Sequence, residues 1–134
     1  MILVMVGAPG AGKGTQAHIL ADRLGIPHVA SGELFRAAVA SGSALGQTVR
    51  GYLDQGALVP DKVAIAVVLE RLRAPDAAGG AILDGFPRTR PQAEALDVAL
   101  ARVGQRVSQA LYVGVREPEL RRRLSGRWLC RAEG

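Results

Sequence analysis

Short apolar runs alternate along the chain with segments in which apolar residues recur every three or four positions. The runs are typical of buried parallel strands, and they predict strands over residues 1–6, 27–30, 81–83 and 110–115. The helical spacing predicts a helix that carries Ala17, Leu20 and Leu24, and further helices over residues 62–73, 91–102 and 118–125. Asp61 is the predicted N-cap of the helix over residues 62–73. This alternation predicts an α/β fold, a parallel sheet between helices. Residues 31–60 contain no predicted strand, so we expect them to form a helical insertion beside the sheet.

Size and composition predict one globular domain. The chain has 134 residues, of which 49% are hydrophobic and 22% are charged. The longest apolar run, residues 1–6, is too short to span a membrane and lacks the features of a signal peptide. The single cysteine, Cys130, cannot form an internal disulfide, which fits a reducing compartment. We therefore expect a cytoplasmic protein without a membrane partner.

The net charge of +5 leaves a polyanionic partner open. The basic residues are spread along the chain, and only residues 121–123 form a cluster. Aromatic residues make up 4% of the chain, which leaves few side chains for stacking on bases. Arginine suits phosphate binding, but a general preference for arginine over lysine explains the composition equally well. We predict no nucleic-acid partner, and a basic nucleic-acid binder is the weakest alternative.

A glycine-rich segment follows the first strand and precedes the first helix. Gly7, Gly12 and Lys13 have the spacing of a Walker A loop. In such a loop the backbone N–H groups turn towards phosphate oxygens, the helix N-terminus favours the negative charge, and the lysine adds a point charge. A glycine-rich turn also occurs for structural reasons alone, but the lysine and the strand–loop–helix order favour a phosphate site. The predicted ATP-binding residues of this loop are Gly10, Ala11, Gly12, Lys13, Gly14 and Thr15.

The residue after the lysine is unusual for such a loop. A standard loop has a serine or threonine there that ligates Mg²⁺. Here that position is Gly14, and the hydroxyl comes one residue later, at Thr15. We therefore expect Mg²⁺ to be held mainly by nucleotide phosphates and water. Asp84, at the end of the third strand, is the carboxylate best placed to orient those waters, although an aspartate before a glycine is also an ordinary turn residue.

The loop Gly-x-Pro-Gly-x-Gly-Lys-Gly-Thr resembles that of adenylate kinases. Three further segments resemble the same family: residues 31–36 (Ser-Gly-Glu-Leu-Phe-Arg), residues 57–60 (Ala-Leu-Val-Pro) and residues 84–89 (Asp-Gly-Phe-Pro-Arg-Thr) with Gln92. The resemblance extends from Met1 to about Arg131. It implies a P-loop three-layer fold with four of the family's five strands, and a monomer that converts ATP and AMP to two ADP with Mg²⁺.

The predicted acceptor site contains two arginines and one side-chain amide that suits the edge of a purine base. Arg36 and Arg88 suit an acceptor that is itself a phosphate ester, and Gln92 offers both a donor and an acceptor to a base edge. Taken singly, each would more often be a solvated surface residue. The resemblance implies an AMP site formed by Ser31, Arg36, Ala57, Leu58, Val59, Gly85, Phe86, Pro87, Arg88 and Gln92. Ser31 stands where the family usually has threonine, and Glu33 where it has aspartate.

The resemblance also implies the catalytic residues and a division of the chain. Lys13, Arg88, Arg123 and Arg127 would surround the transferred phosphoryl group, and Arg127 would also contact ATP. Arg121 and Arg122 are interpreted as a solvated helix face. Residues 1–30 and 61–127 would form the P-loop core, residues 31–60 the AMP-binding insertion, and residues 128–134 the start of a lid. No protein-bound zinc is expected, because Cys130 and Glu133 supply only two ligands.

Several alternatives remain open from the sequence. A CMP or UMP kinase of the same fold is one, although Thr89 with Gln92 favours AMP, since uridylate–cytidylate kinases carry asparagines in this region. A non-catalytic nucleotide-binding fragment is another. The family continues beyond residue 134, so we expect a partial chain that turns over slowly or not at all. We also expect the fourth strand to be left as an apolar sheet edge.

Overall fold

The computed structural model describes residues 1–125. Strands and helices alternate along the chain, which confirms the predicted α/β class. The elements are β1 (Ile2–Val6), α1 (Lys13–Leu24), β2 (His28–Ala30), α2 (Ser31–Ser41), α3 (Ala44–Asp54), α4 (Asp61–Leu72), β3 (Ala81–Asp84), α5 (Arg90–Arg102), β4 (Val107–Tyr112) and α6 (Glu117–Ser125). Within residues 1–125, no helix is both long and apolar enough to cross a membrane. Arg127 and the predicted start of a lid, residues 128–134, lie outside the described residues.

The four strands form a parallel sheet in the order β2-β3-β1-β4. Near the carboxyl ends of the strands, Met5 of β1 pairs with Asp84 of β3, and Asp84 pairs with Ala30 of β2. Because parallel strands end at the same edge, the loops that follow β1, β2 and β3 all leave the sheet there. The sheet therefore gathers the glycine-rich loop, the start of α2 and residues 85–88 in one place.

The hydrophobic core lies on both faces of the sheet, because alternate residues of the central strand β1 point to opposite sides. Ile2 and Val4 belong to a buried cluster with residues of α4 and α5, whereas Leu3 and Met5 belong to one with residues of α1. The first cluster contains Val68, Leu72, Leu96 and Leu100, and the second contains Ala17, Ala21, Ile26 and Ile82. This packing covers the sheet on both faces and fixes the edge where the three loops meet.

Helices α2 and α3 form a hairpin between β2 and α4. Ser43 caps the N-terminus of α3, and its Oγ accepts a hydrogen bond from the backbone N–H of Gly46 at 3.0 Å. A Cβ atom at position 46 would collide with the carbonyl oxygen of Ala38. Glycine at this position therefore lets the two helices approach closely. The assignment of residues 31–60 to a separate acceptor-binding unit stays a prediction.

The bounds of strand β4 differ from the sequence prediction. Strand β4 covers Val107–Tyr112 rather than residues 110–115. As an edge strand it tolerates polar residues, and the Ser108 hydroxyl accepts a hydrogen bond from the N–H of Ile2 at 3.3 Å, where the register with β1 shifts. In the described residues β4 pairs with β1 alone, as expected of an edge, but the edge is less apolar than predicted.

The prediction that Asp61 caps helix α4 was wrong. Pro60 is the N-cap, and its carbonyl oxygen accepts the first helical hydrogen bond, from the N–H of Ala64 at 2.9 Å. Asp61 is thus the first helical residue, and its carboxylate is available for a contact outside the helix. Helix α6 likewise begins one residue before Pro118, at Glu117.

Candidate functional site

A cavity of about 800 Å³ lies at the carboxyl edge of the sheet. Its walls come from the loops that follow β1, β2 and β3, together with the ends of those strands. The predicted site residues that line it are Gly10, Gly12, Lys13, Gly14, Thr15, Ser31, Asp84, Gly85, Pro87 and Arg88. The structure therefore brings the glycine-rich loop and the Arg88 segment, which are far apart in sequence, to one cavity.

The glycine-rich loop turns directly into helix α1. Gly12 is the N-cap residue and has a φ of +96°, a left-handed conformation that glycine adopts without strain. The Lys13 Nζ donates hydrogen bonds to the carbonyl oxygens of Gly7 at 2.9 Å and Ala8 at 3.2 Å. An ammonium group has three donors, so one N–H of Lys13 remains for a phosphate oxygen without breaking either bond. The loop thus holds the Lys13 ammonium group near the N-terminus of α1, where the helix dipole favours an anion.

Asp84 forms a contact that the sequence analysis missed. The Nε2 atom of His28 lies 3.0 Å from the Asp84 Oδ2, and the side chains are 19% and 14% exposed. A Cβ atom at Gly14 would lie 3.6 Å from the same oxygen, so the carboxylate faces the start of α1. In the parallel register His28 pairs with Ile82, two residues before Asp84, so both side chains lie on one face of the sheet. The contact between His28 and Asp84 therefore follows from the order and register of the strands, and the spacing of the two residues along the chain does not predict it.

The carbonyl oxygen of Gly85 joins Ser31 to Arg88. It accepts hydrogen bonds from the Ser31 hydroxyl at 3.3 Å and from the Arg88 Nε at 2.7 Å. Ser31 is 7% exposed. Gly85 has a φ of +83°, and an added Cβ atom would lie 2.6 Å from the Ser31 Oγ, so only glycine fits there. Because Arg88 binds the carbonyl through Nε, its two Nη groups are left for an anion.

Gln92 lies between the Arg88 segment and the start of α4. The side-chain oxygen accepts a hydrogen bond from the backbone N–H of Arg88 at 2.7 Å, and the Nε2 donates to the Asp61 Oδ1 at 2.9 Å. Its own backbone N–H donates to the Oγ1 of Thr89, the N-cap of α5, at 3.3 Å. Residues 57–59, the predicted lining of the acceptor base, immediately precede Pro60 and Asp61, and Leu58 is 93% exposed. No local sequence pattern indicates the contact between Asp61 and Gln92.

Two further arginines lie close to the residues that line the cavity. A Cβ atom at Gly32, which lines it, would be 3.3 Å from the Arg36 Nη1, so this guanidinium folds back over the first turn of α2. The Arg123 Nη1 donates to the carbonyl oxygens of Gly10 at 3.2 Å and Ala11 at 3.4 Å. Helix α6 thus places one arginine against the glycine-rich loop. Arg127 lies outside the described residues.

Glu119 holds Arg123 in this position. The Arg123 Nε donates to the Glu119 Oε1 at 2.9 Å, and Arg122 donates to both carboxylate oxygens at 3.0 and 2.6 Å. These hydrogen bonds, from Arg122 first and Arg123 second, hold the pKa of Glu119 below its usual value. Arg121 pairs instead with Glu117 at 2.7 Å on the exposed side of the helix. Of the three consecutive arginines, Arg123 is the one that contacts the loop.

Comparison with known proteins shows the family of the chain. The family model described as adenylate kinase matches residues 5–130. The chain is 51% identical over its full length to an adenylate kinase of Lysinibacillus sphaericus (strain C3-41), and covers 62% of that protein. It is 52% identical over 98% of its length to an adenylate kinase of Streptomyces griseus subsp. griseus, and covers 60% of it. The chain thus spans about 60% of the length of these relatives. With the P-loop, the Arg88 segment and the family match in agreement, the chain belongs to the adenylate kinase family.

Proposed function

We propose that the protein transfers the γ-phosphoryl group of ATP to AMP, forming two ADP. The observation that carries this proposal is the position of Arg88, which is fixed on the Gly85 carbonyl in the same cavity as Lys13. One cavity with two separate sets of phosphate-binding groups suits a reaction between two phosphate esters. Phosphoryl transfer needs in-line placement and charge stabilisation more than covalent participation by the protein.

On the donor side, the loop from Gly10 to Thr15 would hold the ATP phosphates with its backbone N–H groups. Lys13 would place its ammonium group on the β- and γ-phosphates, and Arg123 would add charge from the other side of the loop. The contacts of Arg123 with the Gly10 and Ala11 carbonyls support this role, because they bring the guanidinium to the loop. Arg127 belongs to the same proposal by resemblance only.

On the acceptor side, Ser31, Arg36 and Arg88 would hold the AMP phosphate, together with residues 85–87. Residues 57–59 and Gln92 would hold the adenine. The relatives named above carry the name adenylate kinase, which favours adenine over the pyrimidine acceptors that the sequence left open. Leu58, three residues before Asp61 in the sequence, has a side chain that is 93% exposed, which supports a base at this position.

Asp84 would bind Mg²⁺ through water. Its carboxylate faces the start of α1 and lines the cavity, and carboxylate oxygen is the donor that Mg²⁺ prefers. Gly14 offers no hydroxyl, and residues 1–125 contain no group of three or more metal-binding side chains. A single carboxylate suits an ion that keeps several water molecules and nucleotide oxygens as its other ligands. When bound, the ion would neutralise phosphate charge.

We propose that the chain is divided into three parts. Residues 1–30 and 61–127 would form the P-loop core, residues 31–60 the acceptor insertion and residues 128–134 the start of a lid. We place the protein in the cytoplasm as a monomer whose partners are ATP, AMP and ADP.

A single-turnover transfer assay tests the proposed reaction. The 134-residue chain, in excess over γ-labelled ATP and with Mg²⁺ present, is mixed with AMP, CMP or UMP, so that even slow transfer is detected. We expect label in ADP, less or none in CDP and UDP, and at least a roughly tenfold loss for Arg88→Ala. Arg90→Ala removes a nearby exposed arginine, which pairs with Glu94 at 2.8 Å, and serves as the control. Label only in inorganic phosphate, or preferential labelling of CDP or UDP, would contradict the proposal.

A further inference from the structure

Gln92 is held by two groups of opposite hydrogen-bonding character. The backbone N–H of Arg88, 2.7 Å from the Gln92 Oε1, can only donate. The carboxylate of Asp61, 2.9 Å from the Gln92 Nε2, can only accept when ionised. Turning the amide over would bring donor against donor and oxygen against oxygen. The two neighbours together therefore allow one orientation of the amide.

The Gln92 amide retains hydrogen-bonding groups that Asp61 and Arg88 do not use. A primary amide carries two N–H donors and two oxygen lone pairs, of which Asp61 and Arg88 use one each. One N–H and one lone pair remain for a ligand, and their order in space is set by the fixed orientation. A purine whose phosphate is anchored elsewhere in the site can meet this pair in one register only.

The order of donor and acceptor distinguishes two classes of purine. A 6-aminopurine presents an acceptor at N1 and a donor at the 6-amino group, whereas a 6-oxopurine presents a donor at N1 and an acceptor at O6. A glutamine that turns freely satisfies either edge. We propose that Asp61 is a positioning residue, which fixes the Gln92 amide and thereby makes the acceptor site select a 6-aminopurine monophosphate over a 6-oxopurine monophosphate. This inference rests on the proposed function, in which Gln92 contacts the acceptor base.

The place of Asp61 in the fold supports this role. Asp61 follows the segment 57–59 after a single proline, and Gln92 lies in the first turn of α5, four residues after Arg88. The contact between them therefore joins the segment proposed to line the base to the one proposed to hold the phosphate. An acidic residue in the first turn of a helix is also favourable for the helix dipole, but that interaction needs no partner on α5.

Calorimetric titration of AMP and IMP into the 134-residue chain tests this inference. The two nucleotides differ only at the N1–C6 edge of the base, so their affinity ratio reports the reading of that edge. An asparagine amide can accept or donate, so the substitution Asp61→Asn removes the constraint that Asp61 places on the Gln92 amide, and of the two neighbours only the Arg88 N–H still opposes the turned orientation. We expect the preference for AMP over IMP to fall about three- to tenfold, the range that one net hydrogen bond covers, while the affinity for ATP is unchanged.

Two matched variants separate positioning from a general effect of charge. Asp97→Asn removes an equal charge from an exposed position on α5 and should leave the AMP to IMP ratio unchanged. Asp61→Glu keeps a carboxylate and should restore most of the preference. In ¹⁵N spectra, the side-chain N–H resonances of Gln92 should show one proton slowed in exchange by Asp61, and Asp61→Asn should reduce that protection.

The outcomes that overturn the inference are distinct from failure of the proposed function. An unchanged AMP to IMP ratio in Asp61→Asn contradicts the positioning role. An equal loss of affinity for AMP, IMP and ATP in that variant shows a purely structural role and contradicts it as well. If the unaltered chain binds neither monophosphate, or binds both equally, the proposed adenine acceptor is itself wrong and the inference falls with it.

Discussion

The Nε2 atom of the His28 imidazole lies 3.0 Å from the Oδ2 atom of Asp84, and the two residues belong to neighbouring parallel strands. Both side chains are mostly buried at the edge of the sheet where the cavity opens. The pair therefore holds in place the carboxylate that we propose to bind Mg²⁺ through water. The sheet register, rather than any local motif, creates this arrangement, because His28 pairs with Ile82 on the same face as Asp84.

Replacing His28 should destabilise the fold. In His28→Ala the Asp84 Oδ2 loses its partner in a site that is 14% exposed, and we expect the free energy of unfolding to fall by about 1–3 kcal/mol. His18→Ala is the matched control, because His18 is 71% exposed and its nitrogen lies 3.8 Å from Asp22. Urea denaturation of the two variants measures the difference. Equal losses for both would show that the His28–Asp84 contact contributes nothing specific.

Gly85 should not tolerate a side chain. In Gly85→Ala the new Cβ would lie 2.6 Å from the Ser31 Oγ, and the residue would be forced into a φ of +83°. Gly104→Ala is the control, because its φ of +72° brings the same backbone strain but no atom lies within 4 Å. We expect roughly 1 kcal/mol of destabilisation for Gly104→Ala and about 1–3 kcal/mol more for Gly85→Ala.

Removing the Ser31 hydroxyl tests the origin of that extra loss. Ser31→Ala should relieve part of the collision, so the Ser31→Ala and Gly85→Ala double variant should lose less stability than the sum of the single variants. Thermal unfolding of the four proteins completes this cycle. Strictly additive losses would show that the two residues do not meet as described.

Glu119 should influence nucleotide binding through Arg123. Glu119→Gln replaces the charge-assisted bond from the Arg123 Nε, 2.9 Å long, by a weaker one, so the guanidinium is held less firmly at the loop. We expect the affinity for ATP to fall about two- to fivefold, as for a partial loss of one hydrogen bond. Glu117→Gln alters the parallel pair with Arg121 and serves as the control. Equal ATP affinities for the two variants, measured by calorimetry, would contradict the link between Glu119 and the loop.

The ion pair between Arg71 and Asp76 should make stability depend on pH. Arg71 donates to both Asp76 oxygens, at 2.7 and 2.8 Å, and this hydrogen bonding holds the pKa of Asp76 below its usual value. A carboxyl whose pKa is lower in the folded state stabilises the fold above its unfolded pKa, and this contribution is lost as the pH falls through the folded pKa. Asp76→Asn should therefore lower the melting temperature at about pH 6 but change it little near pH 2. Equal shifts at both pH values would contradict this prediction.

The local elements of the site follow from the sequence, whereas its long-range contacts do not. The apolar run of β1, the glycines after it and the helical spacing of Ala17 and Leu20 predict the strand–loop–helix unit that the structure contains. Strand β4 was misplaced because an edge strand accepts polar residues such as Ser108. Asp61 was assigned to a helix cap because aspartate favours that position, but Pro60 takes it. The Asp61–Gln92 and His28–Asp84 contacts depend on the packing of distant elements, which residue spacing does not encode.

We propose that one cavity holds two nucleotide phosphate groups through separate residues. Titration of AMP into the 134-residue chain, first alone and then saturated with a non-hydrolysable ATP analogue, tests it most directly. We predict that AMP binds with a stoichiometry of one in both states, and that Arg88→Ala weakens AMP binding at least about tenfold while ATP binding changes less than about twofold. Complete displacement of AMP by the ATP analogue would show a single shared site and contradict the account.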